Sequence, residues 1–258
     1  MDRNTAAPLF RGWDKPMILA ALQGCMGRVR MAEDGRSAAV EIGDFAFFAG
    51  EPDRELAREV SAPILVPRER AWGELLEQVW GDCAAPWTRY VLKPPPGGFD
   101  RDRLAGYAAA LPAGCRLVPV DGELYRQAMA GDWSRDLCAL FAGEEDYLDR
   151  GLGMAAVWEG ELAAGASSYA VCRGGIEIEI DTRPDCRRRG LASACGAGLI
   201  LACLERGLYP GWDAHDLRSA ALARKLGYQL AGPYPAYLRG KEKESADLAQ
   251  ECEISIDE

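Results

Sequence analysis

The sequence predicts an α/β protein built in two units, one ending near Leu111 and one beginning after it. Three observations carry that prediction. The chain has 258 residues, enough for one large domain or two modest ones with a real hydrophobic core. Apolar runs of strand length recur between segments of helical periodicity. The run Lys93-Pro94-Pro95-Pro96-Gly97-Gly98 is stiff until its glycines and reads as a loop or linker, after which the pattern becomes regular.

In the first unit a helical stretch around Pro16 to Met26 precedes the apolar run Ser37 to Gly50. Ala71 to Trp80 is helix-like, with Trp72, Leu75, Leu76, Val79 and Trp80 on one side. Tyr90 to Leu92 reads as a short strand. In the second unit Cys115 to Val120 is a strand and Glu123 to Met129 a helix. Met154 to Trp158 and Ala163 to Val171 are strands parted by the turn Glu159-Gly160-Glu161. After Gly174-Gly175, Ile176 to Thr182 alternates strictly. A helix from about Leu191 to Arg206 stops at Gly207, and Leu208 to Trp212 is a short strand. Asp216 is placed to cap a helix Leu217 to Leu226 that ends at Gly227, and Tyr228 to Leu238 supplies the last strand.

Composition bounds the function. Forty acidic against thirty basic residues give a net charge of -10, which argues against a nucleic-acid binder. From Gly240 to Glu258 there are seven acids and two lysines, so that tail alone carries -5 and is expected to be disordered. The first twenty residues hold Asp2, Arg3, Arg11, Asp14 and Lys15 without an apolar core, so no signal peptide is expected. Leu191 to Leu204, the longest uncharged stretch of the second half, is fourteen residues, whereas a membrane span needs roughly twenty. Nine scattered cysteines without a Cys-x-x-Cys pair suit a reducing cytoplasm and give no metal site.

The chemistry concentrates in one segment. Ile176, Ile178 and Ile180 share one face of a strand, and Glu177, Glu179 and Asp181 share the other. Three acids on one face are costly unless that face opens into a wet cleft or the strand is a solvated edge. Both readings stand on the strand alone. The strand runs into Arg183-Pro184-Asp185-Cys186-Arg187-Arg188-Arg189-Gly190, which opens the apolar helix at Leu191 and Ala192. Such a turn aims backbone N–H groups at one point, the helix dipole adds positive potential, and a glycine lets an anion approach. A basic loop that merely starts a helix is the plainer alternative.

Pro184-x-x-Arg187-x-x-Gly190-x-Ala192 directly after a strand resembles the pyrophosphate-binding motif of the GNAT superfamily of N-acetyltransferases. Ser219-x-x-Leu222-Ala223-Arg224-Lys225-Leu226-Gly227-Tyr228 resembles the second GNAT signature. Leu22 to Gly27, Gly43 to Gly50, Gly165 to Tyr169, Gly174 to Thr182 and Tyr209 to Ala214 are similar to stretches of a two-domain bacterial GNAT family. Some members of that family are labelled as zwittermicin-type resistance acetyltransferases.

The resemblance implies an α+β fold. A GNAT domain over 112–239, with a mixed, mostly antiparallel sheet flanked by helices, would follow a smaller α/β domain over 1–111. It implies acetyl-CoA as co-substrate and a small-molecule primary amine as acceptor, with direct transfer in a ternary complex and no metal. Ile180, Asp181 and Thr182 would meet the pantetheine arm, and Arg187, Arg188, Arg189, Gly190, Leu191 and Ala192 the pyrophosphate. Asp216, Ser219 and Lys225 of the second signature complete the expected cofactor set. Glu179 is the first candidate for the base and Glu177 the second, although both acids could instead only anchor a cationic acceptor. The tyrosine that often protonates the thiolate is replaced by Ala223, and Tyr228, Tyr234 and Tyr237 stand nearby. A non-catalytic acyl-CoA-binding module and a protein or peptide amine acetyltransferase remain as alternatives, and homodimer formation is left open. His215 reads as a loop histidine, with no Ser or Cys motif to pair with it.

Overall fold

A computed structural model describes residues 3–240; the tail expected beyond Gly240 lies outside the described residues. The chain opens with α1 (Arg3–Ala6) and α2 (Pro16–Leu22), then the antiparallel strands β1 (Arg28–Met31), β2 (Ser37–Ile42) and β3 (Phe45–Gly50). Next come α3 (Arg54–Glu59), β4 (Ile64–Pro67), α4 (Arg70–Trp80), β5 (Ala84–Lys93) and α5 (Arg101–Ala109). The second half runs through β6 (Cys115–Pro119), α6 (Gly122–Ala130), α7 (Glu144–Arg150), β7 (Gly153–Trp158), β8 (Glu161–Cys172) and β9 (Gly175–Thr182). It finishes with α8 (Leu191–Glu205), β10 (Tyr209–Gly211), β11 (Asp213–Ala214), α9 (Leu217–Lys225) and β12 (Gln229–Arg239).

Local chemistry sets many of these limits. Asp53, Asp100, Asp121 and Asp216 each accept a hydrogen bond from the backbone N–H three residues on, capping α3, α5, α6 and α9. The helix expected over Pro16 to Met26 stops at Leu22, because Gly24 and Gly27 take left-handed φ of 75° and 74°. The apolar run Ser37 to Gly50 folds back on itself as the hairpin β2–β3, turning at Gly43-Asp44.

Two sheets result, with strand orders β1-β2-β3-β4-β12-β5-β11 and β10-β9-β8-β7-β6. Among the described residues only β3–β4 and β9–β10 pair in parallel, so both sheets are mixed and mostly antiparallel. The cut expected at 111/112 does not fall between separate sheets. The C-terminal strand β12 lies between β4 and β5, and β11 pairs with the other edge of β5.

One apolar core fills the space between the sheets. There Met17 and Ile18 of α2 meet Val40, Phe45 and Phe47 from one side and Tyr169 and Ala170 from the other. A second core lies between β7–β9 and α8, and a third packs Phe48 and Leu65 against Trp72 and Leu76 of α4. Helix α8 is apolar all round, as a helix buried under a sheet must be. Its glycines permit the close approach: a Cβ at Gly196 would stand 2.8 Å from Leu226 Cδ1 and 3.0 Å from Ile180 Cδ1.

Candidate active site

Strand β9 is neither a plain edge nor fully covered. Its first residues, Gly175 to Glu177, pair with β10, after which Asp213 and Ala214 pair with β5 of the other sheet. From Ile178 onward β9 loses its neighbour on that side while keeping β8 on the other. The parallel strands therefore part, and the opening is flanked by Ile178 to Thr182. The Arg183 N–H donates to Ala163 on the β8 side, whereas the Gly174 carbonyl accepts from Tyr209 on the β10 side. By strand alternation the main-chain groups of Ile178, Ile180 and Thr182 point into the opening. The Ile180 N–H is taken by Glu179 Oε1 at 3.2 Å, and the Thr182 carbonyl accepts from Arg187 Nε at 3.3 Å.

The turn after β9 leaves a run of backbone donors unpaired. Arg188 and Gly190 are left-handed, with φ of 60° and 84°, and Gly190 opens α8 without a side-chain cap. Among the described residues no hydrogen bond takes up the N–H groups of Arg188 to Ser193. Alternating left-handed residues ahead of a helix make a concave nest of donors at the positive end of the dipole. A Cβ at Gly190 would meet only the Ala110 carbonyl at 3.9 Å, so conformation rather than crowding demands glycine there.

The four arginines are not equivalent. Arg183 is pinned by Asp185 at 2.8 Å and Glu161 at 2.9 Å, away from the nest. Arg189 reaches the Asp185 carbonyl and lies 4.8 Å over the Trp158 ring. Arg188 engages no described side chain and projects from the nest itself. Lys225, from the far end of α9, donates to Ser193 Oγ at 3.0 Å and so brings a cation to the first turn of α8. The structure thus gathers Arg187 to Ala192 and Lys225 around one turn. Asp216 and Ser219 are committed elsewhere. Asp216 caps α9 and holds Arg218 at 2.9 Å, and Ser219 Oγ accepts from the Trp212 indole at 3.1 Å.

The acidic face of β9 turns toward the space between the sheets. Glu177 is 4% exposed, and its Oε1 has no hydrogen-bond partner. Burial pushes its carboxyl well up, with Asp213 adding to the effect and Lys15 and Arg89 opposing it. Glu179 is half-buried, and burial with Asp181 nearby pushes it up to about 8. Asp181 rises to about 6, through burial and the Asp136 carboxylate. Two carboxyls on one strand face are thereby poised near neutrality, the range in which a group can take a proton from an amine.

Behind them lies a charged network that the sequence did not announce. The Asp213 carboxylate, with its side chain 3% exposed, accepts from Arg89 Nε at 2.7 Å, from Tyr234 at 2.5 Å and from Lys15. Burial works against that carboxylate, yet Lys15 and Arg89 hold it below the ordinary range. A signal existed: Trp87, Arg89 and Val91 alternate on β5, so a charge interrupts a face of otherwise apolar residues. Lys15 comes from α2 and could not be tied to Asp213 by any local pattern.

Each of the three nearby tyrosines donates a hydrogen bond within the protein. Tyr228 donates to the Pro210 carbonyl at 2.9 Å, Tyr234 to Asp213, and Tyr237 to Glu77 at 2.7 Å on the far face. Ala223 is fully buried in the core under α8. His215 packs edge-on against Trp87 at 4.3 Å, and burial lowers its pKa.

Comparison with known proteins decides the family. The model of the GNAT acetyltransferase family matches residues 7–237, nearly the whole described chain. The chain belongs to the GNAT acetyltransferase family. Its fold is similar to the crystal structure of a GCN5-related N-acetyltransferase-like protein from Streptococcus suis 89/1591. That similarity has a TM-score of 0.87 and 42% identity over 93% of this chain and 98% of that one. A GCN5-related N-acetyltransferase from Kribbella flavida shares the fold, with a TM-score of 0.57 and 18% identity over 96% of this chain and 98% of its own. In sequence the GNAT chain is 24% identical over 199 residues to the uncharacterized N-acetyltransferase YdfB of Bacillus subtilis (strain 168), covering 76% of this chain and 74% of that protein. Among the described residues of this GNAT protein no helix is long and apolar enough to cross a membrane.

Proposed function

We propose that this GNAT protein transfers the acetyl group of acetyl-CoA to a primary amine of a small molecule, by direct attack within a ternary complex. The observation that carries the reading is the parting of β9 from β10–β11 immediately beside a nest of unpaired N–H groups. A thioester arm fits such an opening as an added strand, because the main-chain groups of Ile178, Ile180 and Thr182 have no strand partner on that side, and the side-chain contacts of the Ile180 N–H with Glu179 and of the Thr182 carbonyl with Arg187 can be exchanged for it. The pyrophosphate fits the Arg188 to Ala192 nest, with Arg187, Arg188, Arg189 and Lys225 supplying charge.

Glu179 is the base we assign, because it borders the opening and burial pushes its carboxyl up to about 8. When ionised it accepts the proton of the attacking amine. Its hold on the Ile180 N–H is then weakened, which frees a donor for the carbonyl oxygen as that oxygen gains charge. Glu177, deeper in the strand and beside the Asp213 network, is the second candidate. The proton for the departing thiolate comes from water, since Tyr228, Tyr234 and Tyr237 donate elsewhere. That same fact favours a second reading, an acyl-CoA-binding module without turnover. We place the protein in the cytoplasm, in keeping with eight described cysteines that are all free thiols.

Calorimetric titration with acetyl-CoA, followed by CoA release against a panel of amines, tests the reading. Binding with turnover is the expected result. Binding without turnover on any amine would favour the module, and no binding would overturn both.

A further inference from the structure

Helix α5 is short and polar, and Leu104 alone of its residues is buried. That side chain joins the core of Leu191 and Cys195 and so fixes α5 against the start of α8. The C-cap of α5, Ala110, then lies beside the nest, its carbonyl being what a Cβ at Gly190 would meet at 3.9 Å. Arg103 and Tyr107 stand four residues apart on α5, hence one turn apart on the same face. That face meets the end of α9. Arg103 Nη2 donates to the Lys225 carbonyl at 2.8 Å, and Arg103 Cζ lies 5.9 Å from the centre of the Tyr107 ring. Lys225 Nζ lies 5.0 Å from the same centre while it donates to Ser193 Oγ at 3.0 Å. One aromatic ring thus holds two cations next to the first turn of α8.

Helix capping explains only part of this. The Arg103 contact satisfies a last carbonyl of α9, where a cation is favoured. It does not account for a second cation on the same ring, since like charges repel. Counter-charge is missing too. Among the described residues Arg103, Arg187, Arg188 and Lys225 form no ion pair, whereas Arg183 and Arg218 are paired. This happens in a chain whose net charge is -10. The nest also has two sides. The opening along Ile178 to Thr182 leads into it on one, and α5 with Lys225 borders the other. A ligand with its pantetheine arm along β9 and its pyrophosphate on the nest carries its remaining part, an adenosine with a 3′-phosphate, out past Lys225 and Tyr107.

Resting on the acetyl-CoA reading above, we propose that α5 completes the cofactor site at its nucleotide end. Arg103 and Lys225 bind the 3′-phosphate of CoA between them. Tyr107 is a positioning residue, which keeps the two cations together when no phosphate is there. The site thereby selects CoA thioesters over the same thioesters of dephospho-CoA.

Calorimetry of the full chain with acetyl-CoA and with acetyl-dephospho-CoA, which lacks only the 3′-phosphate, tests this. Binding of acetyl-CoA is expected to be tighter by about tenfold or more at low salt, a preference that shrinks as ionic strength rises. Arg103→Gln should bring that ratio most of the way to one by weakening acetyl-CoA alone. Tyr107→Leu should also lower the ratio, while Tyr107→Phe keeps it. Arg103 is exposed, so the fold is expected to hold, and a thermal melt checks each variant. A substitution that merely loosened α5 would weaken both ligands alike and leave the ratio unchanged. Equal affinity of the parent for the two ligands, or a ratio indifferent to Arg103→Gln, would overturn the proposal and leave the acetyl-CoA reading standing. Failure of both ligands to bind would overturn that reading as well, so the two failures are separate.

Discussion

Replacing Glu179 by glutamine should make the protein more stable while making it a worse catalyst. In the unfolded chain this carboxyl ionises near 4.5, whereas the folded environment holds its proton up to about 8. Between those values the unfolded state binds fewer protons, so native stability falls as pH rises, by up to about 1.4 kcal/mol per unit. At pH 7 the full effect would be about 3 kcal/mol. Water reaching the half-buried side chain reduces it to about 1–2 kcal/mol. Glu179→Gln removes the ionisation and keeps the shape. The difference in unfolding free energy between variant and parent should be near zero at pH 4.5, grow through the neutral range and level off above pH 8. Urea unfolding at a series of pH values measures it. Over the same series the parent's turnover should rise toward pH 8 and the variant's should fall by roughly 10²- to 10⁴-fold, with acetyl-CoA affinity little changed. A stability difference that is flat with pH, or a variant less stable than the parent at pH 8, would refute the account of this carboxyl.

Other substitutions probe the remaining parts. Gly190→Asp places a side chain at φ 84° and a negative charge in the nest; acetyl-CoA affinity should drop by about 100-fold or more in calorimetry, while a thermal melt shows a folded protein. Asp213→Asn removes the counter-charge of the buried Arg89 and the partly buried Lys15, which should cost about 3–5 kcal/mol in chemical denaturation. Gly196→Val drives methyl groups into Leu226 and Ile180 and should cost about 1–3 kcal/mol by the same measurement.

Much of the site was legible because it is local. One strand of period two, one turn and one helix start hold Glu177 to Ala192, and the structure keeps them together as read. The two readings of the acidic face merge: β9 is covered by β10 at Glu177 and uncovered from Ile178. Helices α4 and α8 and strands β7 to β9 also follow their periodicity. The polar α3, with six residues, and the neighbouring four-residue β4 carried too little pattern to be seen, being set by packing rather than by propensity. Partnerships across the chain were equally silent. Lys15 with Asp213 spans 198 positions and Asp44 with Tyr169 spans 125, distances at which only the folded sheets supply the information. Within the second signature Asp216 caps α9, Ser219 accepts from the Trp212 indole, and Lys225 reaches Ser193 beside the nest, a division of tasks that the linear motif does not display.

The place of β12 has a consequence for how the molecule is made. Its residues Gln229–Arg239 fill the gap between β4 and β5, so during synthesis the first half emerges from the ribosome with two strand edges bare. Those edges wait for well over a hundred residues of further translation before they are covered. Until then β4 and β5 present unpaired main-chain groups of the kind that recruit foreign strands. Closure is late and depends on contacts far apart in sequence, which slows the final step of folding. A nascent chain stalled before Gln229 should therefore bind holdase chaperones along its first half, and release of the completed chain should coincide with the arrival of its last strand.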